Sequence, residues 1–317
     1  MKQRTLTSIG ILAVLILMFV SRLATPFIFE VIIAVIMILC ATETSKILSK
    51  MNKPNYLTVM GTYPSMAYFV LVYCVYKEQS ILQCLVWQAV LLISLFVLTF
   101  LISLFFKKQL KEEIKLRKEK SKYTVFALKK AFNTCIGMIY PSLPLLSILF
   151  LSMIQNFGDG LPGVENFTGN NLSFFVLLIA FLIPIFADTF ALLSGMLFKG
   201  PKIAPLISPK KTVAGFVGGT VCTVLLISVI FLILNATKSF SSAFSALNFS
   251  VFHIALLAFI GSIFCAVGDF FESFLKRKAK IKDSGNFLPG HGGFLDRYDS
   301  QIFCAPIVLV FFILILM

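Results

Sequence analysis

Residues 212–237 read TVAGFVGGTVCTVLLISVIFLILNAT, twenty-six positions without a charged side chain. A helix of about 20 mainly apolar residues crosses the hydrocarbon core of a bilayer. This stretch is long enough, and it is apolar on every face, so it lacks the polar side that a helix on a soluble protein keeps in water. Outward from it, uncharged runs recur at 5–21, 54–76, 79–106, 131–158, 166–187, 239–268 and 300–317, and Glu30 alone interrupts 23–42. These gaps place nine spans, near 5–21, 26–44, 56–76, 81–106, 131–154, 172–194, 214–235, 250–270 and 301–317. The predicted fold class is an all-α, polytopic integral membrane protein.

Composition agrees. The chain has 317 residues, of which 58% are hydrophobic and 13% charged, with a mean hydropathy of +0.95. Soluble domains are about 45–50% apolar and about 25% charged. A disordered chain and an ordinary soluble enzyme are both excluded. Cys40, Cys74, Cys84, Cys135, Cys222, Cys265 and Cys304 stand singly in apolar stretches, and only two histidines occur. Neither a disulfide framework nor a zinc site is expected.

Charge sets the orientation. Nine spans sort the loops into two sets, and every Lys and Arg except Arg22, Lys77 and Lys238 falls in the set formed by 1–4, 45–55, 107–130, 195–213 and 271–300. Basic loops stay in the cytoplasm, so the amino terminus is expected inside and the carboxyl terminus outside. The net charge of +14 then lies on one face, where it attracts anionic headgroups and polyphosphates. Nucleic acid is not an expected partner, because no aromatic residues interleave the basic clusters for stacking. The linker at 107–122, KKQLKEEIKLRKEKSK, has the Glu/Lys spacing of a solvated or surface-lying helix. The external loops 155–171 and 236–249 read as plain connectors. Two blocks follow: 1–130, amino-terminal helices with the basic linker, and 131–317, a carboxy-terminal catalytic region.

The acids point to the chemistry. Of 14 acidic residues, Asp188, Asp269, Glu272, Asp283, Asp296 and Asp299 fall in the last 130 positions. Ionisable groups in or beside a span are costly and usually functional. The densest segment, 268–299, reads GDFFESFLKRKAKIKDSGNFLPGHGGFLDRYD. If the eighth span continues as helix, Asp269, Glu272 or Ser273, and Lys276 share one face at the water boundary. Carboxylates bind hard divalent cations, and Mg²⁺ takes one or two of them together with substrate phosphates. Lys276, Arg277 and Arg297 are candidates for holding phosphate oxygens. A second cluster, Ser208-Pro209-Lys210-Lys211-Thr212 followed by Gly215, Gly218 and Gly219, opens a helix and has the amides and lysines of an anion site. Its plainer reading is a basic flank with small residues for helix packing. Together these features suit a metal-assisted phosphoryl or nucleotidyl transfer.

Ser273-Phe274-Leu275-Lys276-Arg277, four residues, Lys282-Asp283, then Leu288-Pro289-Gly290-His291-Gly292-Gly293-Phe294-Leu295-Asp296-Arg297-Tyr298-Asp299 resembles the signature of the CDP-diacylglycerol synthases, or phosphatidate cytidylyltransferases. The Ser208-to-Gly219 run resembles that family's second block, and Asp188-Thr189 with Gly195 the block before it. The sequence departs from the family's pattern at Met196, Ala214 and Leu192, where the family usually has Arg, Glu and Tyr.

The resemblance implies transfer of the cytidylyl group of CTP to phosphatidate, giving CDP-diacylglycerol and pyrophosphate in the cell membrane, with the active site facing the cytoplasm. It implies catalytic roles for Asp269, Lys276, Arg277, Lys282, Asp283, His291, Asp296, Arg297 and Asp299. It implies substrate or phosphate binding by Asp188, Ser208, Lys210, Lys211, Thr212, Gly218, Gly219, Ser273, Gly292 and Gly293. Mg²⁺ on Asp269 and Asp296, a possible second cation, and a homodimer are further implications. The competing readings are a transporter using Asp188 and Asp269 as coupling acids, and an inactive relative serving as a lipid-binding scaffold.

Overall fold

The helix Ile81–Phe105 is built inside out. It buries Cys84, Gln88, Leu95, Thr99 and Ser103, while Leu82, Val86, Ile93, Val97 and Leu101 are exposed. Two of the buried polar side chains bond neighbouring segments: Gln88 Nε2 donates to Ala67 O at 2.9 Å, and Ser103 Oγ lies 2.7 Å from Tyr56 Oη. Apolar residues outward and paired polar residues inward are what a lipid solvent selects, because hydrocarbon cannot satisfy a lone donor or acceptor. The chain is a multi-pass membrane protein.

The computed structural model describes residues 13, 16–22, 25–117, 122–157, 171–237, 240–241, 244–245, 248–287 and 292–316. Its helices are α1 (Pro26–Lys50), α2 (Leu57–Tyr76), α3 (Ile81–Phe105), α4 (Lys107–Leu116), α5 (Tyr123–Ile139), α6 (Ser142–Met153), α7 (Asn171–Phe198), α8 (Val213–Asn235), α9 (Val251–Lys278) and α10 (Leu295–Leu316). Eight candidate spans of membrane length occur among the described residues, α5 and α6 forming one together. They match the expected spans from 26–44 onward. The expected span 5–21 lies largely outside the described residues.

Boundaries follow local chemistry. Pro26 opens α1 at its first turn, where its missing N–H is no loss, and Asn52, at φ 57°, ends it in the left-handed region. A capping box starts α3: Ser80 Oγ accepts from Gln83 N at 3.0 Å, and Gln83 Oε1 from Ser80 N at 3.1 Å. Several helices outrun the charge gaps that predicted them. The fifth was expected to start at 131, yet α5 begins at Tyr123. Lys130 is accommodated because its Nζ reaches Glu113 Oε2 at 2.6 Å and sits 4.1 Å from the centroid of the Tyr56 ring. The basic linker forms a surface helix as expected: α4 tucks Leu110 against Phe126 and Ala127 of α5.

Two compact units make up the chain: Met1–Leu146 with Lys276–Asp296, and Ser147–Leu275 with Arg297–Met317. This differs from the sequence blocks 1–130 and 131–317, because the segment 276–296 packs with the amino-terminal helices. In the second unit α7 lies along α8. Gly215, Gly218 and Gly219 make that approach possible: a Cβ at Gly219 would sit 2.8 Å from Ala187 O, and one at Gly215 2.6 Å from Ala191 O. Residues 236–249 are more than a connector here. Phe244 lies 5.0 Å from Phe175 and 4.9 Å from Phe231, and Phe249 lies 5.8 Å from Phe312, an aromatic cluster fastening the loop to three helices. The one departure from an all-helical chain among the described residues is a two-stranded antiparallel hairpin, β1 (Lys202–Ala204) with β2 (Ser208–Thr212).

Candidate functional sites at two acidic centres

In the first unit, Lys276 stands in the last turn of α9. The helix ends at Lys278, and Lys280, at φ 56°, turns the chain so that Ile281 N donates back to Lys276 O at 3.0 Å. The chain then turns, and Ser284 meets the start of α10. Asp296, in the first turn of α10, accepts hydrogen bonds on both carboxylate oxygens. Its Oδ1 accepts from Lys276 Nζ at 2.7 Å, and its Oδ2 from Ser284 N at 2.9 Å, Ser284 Oγ at 2.9 Å and Gly293 N at 2.7 Å. Gly292 holds φ +84°, and a Cβ there would fall 2.5 Å from Asp296 Oδ2, so glycine is required on both counts.

Glu43 of α1 completes this centre, and the sequence reading did not single it out. It is 5% exposed. Its Oε2 accepts from Ser284 Oγ and Leu295 N, both at 2.9 Å, and its Oε1 from Phe294 N at 3.1 Å. One signal was present: an acid at the end of an apolar span. Ser284 was missed as well. Lys282 and Asp283 are exposed beside it, as is Arg277. His291 lies outside the described residues.

In the second unit, the hairpin carries Lys211 to Asp269 on α9. Lys211 Nζ pairs with Asp269 Oδ2 and lies 4.6 Å from the Phe270 ring centroid. Asp269 Oδ1 also accepts from Ser273 Oγ at 3.3 Å, one helical turn on. Asp188 of α7 accepts from Ser300 Oγ at 3.0 Å. The Asp188 carboxylate is repelled by that of Asp269 and attracted by Lys211. Asp299 accepts from Ser300 N at 2.8 Å, and Arg297 is exposed. Thr212 caps α8, its Oγ1 accepting from Gly215 N at 3.1 Å. Ser208 pairs with Ala204 across the hairpin, and Lys210 is exposed beside Lys211. Gly218 and Gly219 face Ser194 and Ala187–Ala191 of α7, so helix packing already accounts for both.

Each of the acids expected to carry a metal thus holds a lysine ammonium: Asp269 with Lys211, and Asp296 with Lys276. Hard carboxylate oxygens already engaged with a cation suit Mg²⁺ in donor type, and the lysines beside them are donors for phosphate.

The model of the cytidylyltransferase family matches residues 2–315. The phosphatidate cytidylyltransferase of Rickettsia prowazekii is 37% identical over 175 residues, 54% of this chain and 66% of that protein. Its namesake in Staphylococcus haemolyticus is 39% identical over 137 residues, 43% and 48% of the two chains. That of Rickettsia felis is 36% identical over 184 residues, 57% and 70%. The aligned part therefore spans between about half and seven-tenths of these curated relatives.

Proposed function

We infer the function from one premise: the chain belongs to the cytidylyltransferase family. We propose that it transfers the cytidylyl group of CTP to phosphatidate. A phosphate oxygen of phosphatidate attacks the α-phosphorus of CTP. The bond from that phosphorus to the bridging oxygen breaks, and pyrophosphate leaves with the electron pair. The products are CDP-diacylglycerol and pyrophosphate, and no protein nucleophile takes part. The observation that carries this reading is the pairing of Asp269 with Lys211 and of Asp296 with Lys276, which sets ammonium groups beside carboxylate oxygens, the two kinds of group such a transfer would use.

The metal role that the resemblance implies for Asp269 and for Asp296 stays part of the proposal, each acid taken within its own unit. Bound Mg²⁺ would neutralise negative charge on the reacting phosphates. Lys211 and Lys276 would bind phosphate oxygens as point charges, and Ser273 would orient the Asp269 carboxylate. A second cation is compatible with this donor set.

The decisive experiment is incorporation of labelled CTP into lipid by the purified protein, with and without phosphatidate and Mg²⁺. Label that depends on both is expected, and label independent of phosphatidate would remove the reading. We further propose a plasma-membrane location, a cytoplasmic amino terminus and a homodimer. Cysteines placed at Lys108 and Asn286 in a cysteine-free background should resist an impermeant thiol reagent in intact cells and react in inverted vesicles; the reverse pattern would overturn the orientation. Mass measurement in detergent tests the dimer, and a monomer at all concentrations would remove it.

A further inference from the structure

We propose that Glu43 is the positioning residue of the signature segment: its carboxylate sets the place of Asp296 through Ser284 and the start of α10. This rests on the cytidylyltransfer reading and deepens it. Three facts carry it. First, Glu43 reaches across 241 to 252 residues of sequence to accept from Ser284 Oγ, Phe294 N and Leu295 N. The last two are amides at a helix start, which have no partner within the helix, and a carboxylate there also meets the positive end of the helix dipole. Second, Ser284 Oγ lies 2.9 Å from both Glu43 Oε2 and Asp296 Oδ2. One hydroxyl thus ties the buried acid of α1 to the acid of α10.

Third, the backbone is shaped to the Glu43 carboxylate. A Cβ at Gly285 would fall 2.8 Å from Glu43 Cδ, and one at Gly293 would fall 2.5 Å from Glu43 Oε1. Both glycines belong to the signature segment. The resemblance implies substrate binding at Gly293; in the structure both glycines let the backbone approach Glu43. A buried acid that fixes two amides, one hydroxyl and two glycines costs too much to be filler. What it fixes is the segment that presents Asp296 and its partner Lys276.

The test compares wild type with Glu43→Gln, Glu43→Ala and Ser284→Ala, and with Glu112→Gln on the exposed side of α4 as a control. Turnover is measured per folded, monodisperse protein, and amide exchange is followed at Phe294 and Leu295. Glu43→Gln keeps the shape and one acceptor, so kcat should fall about tenfold. Glu43→Ala loses all three charge-assisted bonds, so kcat should fall about a hundredfold or more. The KM for CTP should stay within about twofold, because Glu43 acts through Asp296 and binds no substrate in this proposal. Exchange at Phe294 and Leu295 should quicken in both Glu43 variants. A residue that only supports the fold would lower the yield of folded protein and leave kcat per folded molecule alone.

Wild-type kcat in Glu43→Gln overturns the positioning role, whether or not exchange quickens. If neither Glu43 variant folds, Ser284→Ala decides: normal kcat there overturns the proposal, and a fall upholds it. A wild-type protein that makes no CDP-lipid defeats the activity reading on its own. The exchange arm then still decides whether Glu43 holds this segment.

Discussion

Asp296 and Asp269 both pair with a lysine, but they are held in different ways. Two backbone amides, Ser284 N and Gly293 N, donate to Asp296. Asp269 is met, among the described residues, by side chains: Lys211 and Ser273. The Asp296 carboxylate is therefore part of how its segment folds. The Asp269 carboxylate sits on a helix that forms without it, and its partners are long or rotatable. One centre is built as a fixed frame and the other as an adjustable grip. In the proposed transfer, which would bind CTP and release pyrophosphate, that contrast would separate positioning from exchange.

The largest effects should come from the acids themselves. Asp269→Asn and Asp296→Asn should each lower turnover on the order of a thousandfold if each acid serves a metal. Stability separates them. Asp296→Asn also weakens hydrogen bonds to a nearly buried carboxylate, about 1.5–3 kcal/mol for a charged acceptor, so the unfolding midpoint in detergent should drop. Asp269→Asn should leave that midpoint within a degree or two. Equal thermal shifts in the two variants would break the distinction between frame and grip. Near-normal rates in both across a Mg²⁺ titration would end the metal assignment.

Glycine substitutions sharpen the same comparison. Gly293→Ala puts a methyl group onto Glu43 and Ser284, and Gly219→Ala puts one onto Ala187 O. Overpacking of this kind costs about 1–3 kcal/mol, so both variants should melt earlier. Only Gly293→Ala should also lower kcat per folded molecule, because its clash displaces the residues that hold Asp296. An equal kcat loss in Gly219→Ala would show that helix packing in the second unit is as closely coupled to turnover.

What the sequence reveals follows from the range of the forces involved. The spans are legible because hydrocarbon forbids charge over about 20 residues, and charge gaps measure that directly. The start of α5 and the end of α9 lie beyond the charge gaps, because Lys130 and Asp269 enter helices by pairing with Glu113 and Lys211, and a ruler made of charges cannot see a neutralised one. The signature acids are legible as a pattern. Their partners are not: Glu43 lies more than 240 residues from Ser284, and no periodicity links the two. The hairpin at 202–212 is not legible as strands: Ser208–Thr212 reads as an anion site or a basic flank, since five residues containing Pro209 give little strand signal.

Side by side, Lys210 and Lys211 should differ. Lys211 pairs with Asp269 and overlies Phe270, while Lys210 is exposed. Lys211→Gln should raise the KM for CTP or phosphatidate, or lower kcat, by about tenfold, the size of one charge-assisted contact. Lys210→Gln should change neither by more than about twofold, as expected for a screened surface charge. Insertion should be normal in both, because other basic loops remain. If the two variants behave alike, the pair acts as a basic flank and the grip on Asp269 is not specific.

The smallest effects should come from helix caps, and they probe whether the second centre depends on how its hairpin is fastened. Each unit has a helix started by a hydroxyl: Ser80 for α3 and Thr212 for α8. Removing either hydroxyl leaves one amide at a helix start without its acceptor and costs about 1 kcal/mol. Ser80→Ala and Thr212→Ala should therefore lower the unfolding midpoint by similar amounts. Their kinetic consequences should differ. Ser80 lies in the short loop before α3, where it exchanges hydrogen bonds with Gln83. Thr212 follows Lys211 directly, and its Oγ1 sits where a Cβ on Gly195 would come within 2.9 Å, so it fixes the hairpin end that aims Lys211. Thr212→Ala should raise the KM for CTP severalfold at nearly unchanged kcat, since the lysine is retained and only its placement loosens. Ser80→Ala should leave both constants alone. A normal KM in Thr212→Ala, with the expected fall in midpoint, would mean that Asp269 and Phe270 hold Lys211 without help from the cap.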